Sequence, residues 1–170
     1  MEKTSGMTGE MAYRRARAYA KKLFAGGGTT ENKFELVEEI VIDNDNVTLI
    51  ERDTDANGVP YSFKEVYIRF EMEPTTASGT ANFVSWANKT ISCGIGSLIA
   101  SAKKFSSVQY QIRGGLLFTT FQSATTDKTW ESAKQLDGDV IFTDGINHLK
   151  FTCNIAIPKG SKITIYGIRK

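Results

Sequence analysis

From Lys33 onward the apolar side chains recur with period two, and this pattern constrains the fold more than any other feature of the chain. Its clearest stretch is "FKEVYIRFEME", 63–73, where Val66, Ile68, Phe70 and Met72 alternate with Tyr67, Arg69, Glu71 and Glu73. Successive side chains of a strand point to opposite faces, so the segment predicts a strand with one face in a core and the other in water. The same reading gives strands at 33–42, 47–51, 81–87, 105–113 and 116–122. In 148–157 it sets Leu149, Phe151, Cys153, Ile155 and Ile157 against His148, Lys150, Thr152 and Asn154. Turn formers separate these runs: "DNDN" at 43–46, "RDTDANGVP" at 52–60, and Gly114 with Gly115. The polar stretch 123–139, "SATTDKTWESAKQLDGD", is expected to leave the sheet. Pro158 and Gly160 suit a type I turn, so the last strand, with Ile163 and Ile165 alternating with Thr164 and Tyr166, is expected to pair with 148–157 as a hairpin. About eight to ten short strands bounded by turn residues favour an all-β fold, a β-sandwich of the jelly-roll kind.

The first residues follow a different period. Residues 10–24, "EMAYRRARAYAKKLF", contain no Pro or Gly and are rich in helix formers. On a helix, Ala12, Ala16, Tyr19, Ala20 and Leu23 share one stripe, with Arg14, Arg17, Lys21 and Lys22 opposite. Gly26, Gly27 and Gly28 suit the end of such a helix and a joint after it. The chain therefore divides into a basic amphipathic helix with its linker, 1–28, and a β-sandwich domain, 29–170. Three uses are open to the helix: packing on the sandwich or on its own copies, docking on another protein, or touching nucleic acid or membrane.

Charge and cysteine content narrow the class. Lys and Arg number 21 against 19 Asp and Glu, a net charge of +2, which leaves the molecule as a whole without a pull toward nucleic acid. No apolar run approaches the roughly 18 residues that span a bilayer, and no signal-peptide core is evident, so membrane insertion is not expected and synthesis is expected in the cytoplasm. Cys93 and Cys153 read as two free, buried thiols.

Few residues carry a chemical signal. "DTDANG" matches the first half of a calcium loop, with Asp53, Asp55 and Asn57 as oxygen donors and Gly58 for the sharp turn, but the position of the bidentate Glu is Lys64. The same residues make an ordinary turn between strands. Calcium is the one cofactor the sequence admits. The single histidine, His148, falls on the polar side of its strand and reads as solvated. "GIGSLIAS" at 94–101 lacks the Lys of a phosphate loop, and nothing selects a pair of carboxylates for glycoside hydrolysis. Trp86, beside Asn88, and Trp130, within the polar stretch, are candidate ligand-gripping residues, since an indole near an amide can stack on a sugar or a flat partner. Both indoles could equally plug the ends of the sandwich.

The end "IPKGSKITIYGIRK", the strand "YSFKEVYIRFEME" and the helix "AYRRARAYAKKLF" before its Gly joint resemble the C-terminal modules of phage and prophage structural proteins: tail-fibre, baseplate, head-fibre or decoration proteins. The resemblance implies a β-sandwich in a homotrimer, located in the virion, in contact with other virion proteins and with a host-surface glycan. It carries no residue-level binding motif. With a short helix and no shaft repeat, a small head or tail decoration protein fits the length better than a long fibre.

The expected function is thus that of a non-enzymatic virion module. A glycan-degrading depolymerase on the same sandwich and a purely structural packing protein are its rivals. The helix stripe is mostly Ala, so it buries little area and contributes only about a few kcal/mol per chain. Deletion of residues 1–28 is expected to leave the β-type circular dichroism unchanged while weakening assembly or attachment to the particle. A truncated chain that fails to fold would place the helix in the core.

Overall fold

The computed structural model describes residues 33–75, 81–88, 91–98, 103–125, 129–135 and 143–170. The expected N-terminal helix, with Ala12, Ala16, Tyr19, Ala20 and Leu23, and the Gly joint after it lie outside the described residues. Ten strands follow in order: β1 (Glu35–Val41), β2 (Leu49–Arg52), β3 (Phe63–Met72), β4 (Ala81–Ala87), β5 (Ile91–Leu98), β6 (Lys104–Arg113), β7 (Leu116–Thr125), β8 (Thr129–Gln135), β9 (Leu149–Cys153) and β10 (Lys162–Arg169). They form two antiparallel sheets, one in the order β1-β10-β3-β6-β7-β8 and the other β2-β9-β4-β5. The chain is all-β wherever it is described.

The period-two pattern explains the layering. On β3 the residues Val66, Ile68 and Phe70 are fully buried, and each pairs with an inward residue of β10 and β6: Ile68 with Ile165 and Val108, Phe70 with Ile163 and Ser106. On the other sheet Phe83, Ser85 and Ala87 of β4 lie opposite Cys153, Phe151 and Leu149 of β9, and all are buried. The two inner faces meet at Phe70, whose ring packs edge-on against Phe83 at 5.3 Å and Phe151 at 5.6 Å between centroids. Rings set edge to face add to the burial term by about 0.5–1.5 kcal/mol per pair. One polar contact also crosses the gap: Tyr110 Oη of β6 donates to Ser85 Oγ of β4 at 2.9 Å, which satisfies both hydroxyls inside the core.

One side of the molecule is closed by a charged staple. A bulge at Val37 shifts the register of β1 between Leu36 and Glu38, and this sets Glu38 opposite the inward Ile165. Its carboxylate then accepts both bonds from Arg52 Nε on β2, at 3.0 and 3.1 Å, and a weaker one from Tyr61 Oη at 3.4 Å. β1 and β2 are the outermost strands of their sheets on this side.

Four expectations need correction. The last strand makes no hairpin with its predecessor: β9 pairs with β2 and β4, whereas β10 pairs with β1 and β3 in the other sheet. Ser161 N bonds back to Pro158 O at 3.1 Å, and Gly160 N and Ile157 N bond to Ile42 O and Val47 O, so this turn is held against the β1–β2 connection as the chain passes from one sheet to the other. The stretch 123–139 does not leave the sheet where it is described, because β7 runs to Thr125 and β8 pairs with it as the edge strand. An edge strand bonds one neighbour only, so its sequence need not show the apolar alternation that betrays a central strand. Tyr67, expected in water, is buried beneath Phe34 beside Tyr166 and Ile168, as the chain entering β1 crosses the outer face. His148 is buried as well, at 8% exposure, because it immediately precedes β9 at the end of the core.

Both thiols are free, Cys153 buried and Cys93 half-buried. Cys93 pairs with Ser85 on β4, which in turn pairs with Phe151, two residues before Cys153 on β9. Two strand spacings of about 4.8 Å already separate them by more than a disulfide can span.

Gly167 shows how tightly the fold is filled. It takes the inward position of β10 opposite Val66, and a Cβ placed there would stand 2.5 Å from two ring carbons of Phe63. Gly167→Ala is therefore expected to cost about 1–3 kcal/mol, the usual penalty for overpacking a core. Gly94, in β5, has nothing within 4 Å of a built Cβ, and Gly94→Ala should change stability by under about 0.5 kcal/mol. Urea midpoints of the two variants check the pair, and equal losses would show that the Phe63 ring can move aside.

Candidate functional site

The loop after β2 is built around Asp55. Its Oδ1 accepts the backbone N–H of Asn57 at 2.9 Å and of Val59 at 3.0 Å, and Gly58, at φ 78°, donates to its carbonyl at 2.9 Å. That is the turn a short acidic side chain makes with its own backbone, with glycine at the left-handed position. Its Oδ2 accepts Arg169 Nη2 at 2.6 Å, while the same guanidinium lies 5.3 Å from the Phe63 ring centre and reaches Pro60 O. Asp53 and Asn57 are exposed. The three residues proposed for calcium are thus arranged as a turn whose central carboxylate already carries a guanidinium. Among the described residues, no three His, Cys, Asp or Glu side chains are grouped to hold a metal ion.

The three residues named as ligand-binding do not come together. Asn88, at φ 51°, follows β4 and clasps the loop before β9. Its Nδ2 donates to Gly145 O at 2.9 Å, its Oδ1 accepts Asn147 N at 2.9 Å, and its own N donates to His148 O at 2.9 Å. The amide is committed to the backbone and works as an internal brace. Trp130 lies on β8, where it pairs with Ser123 of β7, in the other sheet from Trp86.

Trp86 does lie on an outer face. It pairs with Lys150 of β9 and Ser92 of β5, out of phase with the buried Ser85 and Ala87. Its Nε1 donates to Thr152 Oγ1 at 3.3 Å, one pleat further along the neighbouring strand, and this lays the half-buried indole along the sheet. Around it stand Val84, the exposed Leu49, Ser92 and Gly94, and the Lys150–Glu51 ion pair at 3.6 Å. The result is a solvated patch of one tethered ring with aliphatic and small neighbours and an ion pair beside it.

The outer face of the six-stranded sheet holds a second ordered group, which the sequence reading did not single out. Glu65 of β3 pairs with Gln111 of β6, and Gln109 pairs with Tyr67. Both amide side chains donate to the Glu65 carboxylate, Gln109 to Oε1 and Gln111 to Oε2 at 2.9 Å, and Arg113 Nε donates to Gln111 Oε1 at 2.6 Å. The Arg113 guanidinium lies 5.7 Å from the ring centre of Phe118, which faces Gln111 from β7. The signal was present in 105–113: Gln109, Gln111 and Arg113 follow at spacing two in the polar half of a strand that was read from its apolar half.

Burial works against nucleophilic chemistry at several described side chains. It pushes the Tyr61 and Tyr110 phenols and the Cys153 thiol up, away from their reactive anions. At Lys104 burial acts the other way, pulling the ammonium down to about 8 and favouring the neutral amine. No helix of the described residues is long and apolar enough to cross a membrane.

The Asp55 carboxyl is held below its ordinary 3.8, foremost by the Val59 N–H; desolvation opposes this, and Asn57 and Arg169 add to the lowering. A lowered folded-state value means that the stabilisation is present at every pH above the unfolded value and is lost as pH falls through the folded one. Asp55→Asn keeps the turn-forming oxygen and loses the charge. It is expected to lower Tm at neutral pH, and the gap to the parent should close as pH drops below 3.8. Thermal melts across pH check this. The same melts in excess chelator should be unchanged, and a drop would restore the calcium reading of Asp53, Asp55 and Asn57.

No family model, no curated protein and no solved structure matches the chain.

Proposed function

We propose that this chain is a non-enzymatic structural module of a phage virion, a head or tail decoration or fibre protein. In this reading it is a jelly roll that binds a host-surface glycan or another virion protein. The observation that carries the binding role is Trp86, a half-buried indole tethered on the outer face of the four-stranded sheet by its bond to Thr152. Aromatic rings held parallel to a surface, with hydroxyl and ammonium groups at the rim, are suited to stacking on a pyranose or on a flat protein partner.

The strand order supports the jelly roll. With β7 and β8 set aside, the sheets read β1-β10-β3-β6 and β2-β9-β4-β5, the order obtained when eight strands wind as one long folded hairpin. Such folds serve as building blocks of capsids and of lectins, which fits the likeness to virion proteins. Assembly has a seat along the side where β1 and β2 end their sheets. Leu36 and Val41 on β1 and Leu49 on β2 are among the exposed large apolar residues, and among the described residues both strands are the outermost of their sheets there. In a homotrimer these edges would face neighbouring subunits.

A glycan array read together with product analysis tests the function. Retention of a glycan without cleavage is expected, and Trp86→Ala should weaken it by about tenfold, the loss of one stacking contact. Released oligosaccharide would favour the depolymerase instead, and a monomeric native mass would remove the trimer.

A further inference from the structure

We infer that the outer face of β3, β6 and β7 is a second binding site, one for an uncharged, hydroxyl-rich ligand, with Glu65, Gln109, Gln111 and Arg113 as its polar ladder. The inference rests on the reading of the chain as a binding module, and it does not depend on Trp86, which lies on the opposite sheet.

The first argument is order. Bonds run in one direction, from Arg113 to Gln111 and from Gln111 and Gln109 to Glu65, so each side chain is fixed by its neighbour before any ligand arrives. Side chains already held on folding lose little further rotamer freedom on binding, and that loss is one of the main costs of recognition. All three central residues are half-buried, which leaves them reachable while the sheet supports them.

The second argument is remaining capacity. Among the described residues the Glu65 carboxylate accepts two N–H groups, where a carboxylate can take about four bonds, and each carboxamide has spent one of its two N–H donors. Acceptors and donors thus alternate along two adjacent strands. Vicinal hydroxyls, each donor and acceptor at once, answer that pattern. Half-buried rings border it, Phe118 on β7 and Tyr166 on β10, and the exposed Thr120 lies opposite Gln109.

Charge decides the class. Among the described residues the charges of this face are paired within the chain: Arg69 with Glu71, Lys162 with Glu39 at 3.6 Å, and the ladder itself holds one carboxylate and one guanidinium. Paired charges of this kind offer a polyanion no surplus of cations, which argues against nucleic acid and sulfated or sialylated chains. A protein partner would need an apolar centre. Here the centre is carboxylate and amide, and a neutral glycan is the matching occupant.

The test uses the full chain on an array of printed neutral hexose and N-acetylhexosamine oligosaccharides, with sialylated and sulfated chains alongside. The variants are Gln111→Ala, Gln109→Ala, Glu65→Gln and Trp86→Ala, each checked for an unchanged circular dichroism spectrum. Neutral glycans should be retained by the parent, lost by at least tenfold in Gln111→Ala and Glu65→Gln, and still measurably held by Trp86→Ala. If Glu65→Gln fails to fold, the two glutamine variants carry the result. Parent-like binding in every ladder variant, with loss in Trp86→Ala, would reduce the ladder to a cross-strand brace and leave the binding module intact. Retention of acidic chains alone would overturn the neutral class, and retention of no glycan by any form would overturn both the ladder site and the glycan arm of the proposed function.

Discussion

The contact of Phe70 with Phe83 and Phe151 is the point on which the rest of the molecule depends, since there the two sheets become one core. Phe70 belongs to β3, which has β10 on one side and β6 on the other, so the ring is anchored in the interior of its sheet. Removing it would take away a ring that both layers pack against, and a truncation of this kind typically costs about 3–5 kcal/mol. Everything outside follows from the filled interior. Because the inner faces take the apolar half of each strand, the polar half is laid out on two opposite surfaces in strict register. A binding residue on this fold therefore has its neighbours chosen for it by strand pairing.

Register also explains the small exceptions. Glu38 is acidic and yet points inward, which becomes possible only because the bulge at Val37 brings it against Ile165 within reach of Arg52 and Tyr61. Gly167 has no side chain because the Phe63 ring already fills the space above it. Arg169 spans the end of the same strand, with its guanidinium near the Phe63 ring and its charge on Asp55. One aromatic ring thus fixes a glycine, a cation and a loop. The "DTDANG" turn is stable for reasons that lie at the other end of the chain, and no local motif could reveal them.

This marks what the sequence could and could not tell. Strands with a buried face, such as 63–73 and 105–113, were legible because water and core impose opposite demands on alternate residues. Gln109 and Gln111 were visible as polar positions, but their convergence on Glu65 was not, because strand neighbours come from pairing and carry no mark in the local sequence. The expected hairpin at 158–160 fails for the same reason. A Pro-Gly turn says that the chain reverses, without saying whether it returns to its own sheet or crosses to the other. Trp86 and Asn88 looked like a pair from their spacing of two. One lies on the outer face, whereas the other sits past the strand's end in a left-handed conformation that turns its amide onto the next loop.

β7, legible at 116–122, and β8, missed in the polar stretch, together set the breadth of the face they join. Without β7 and β8, β6 would be the edge of its sheet, and Gln109 and Gln111 would border open water. β7 pairs along the whole of β6, setting Phe118 against Gln111 and Thr120 against Gln109, and β8 then takes over as the edge. The ladder is thereby moved from a rim to the middle of a surface. Interior positions of a sheet are held on both sides, so side chains there lose the freedom that edge residues keep. The hairpin of β7 and β8 gives the core Leu117 and Phe121, and it also contributes breadth. On a fold of this kind, breadth of a rigid, half-buried polar face is what distinguishes a surface able to order a ligand from one that is merely wet.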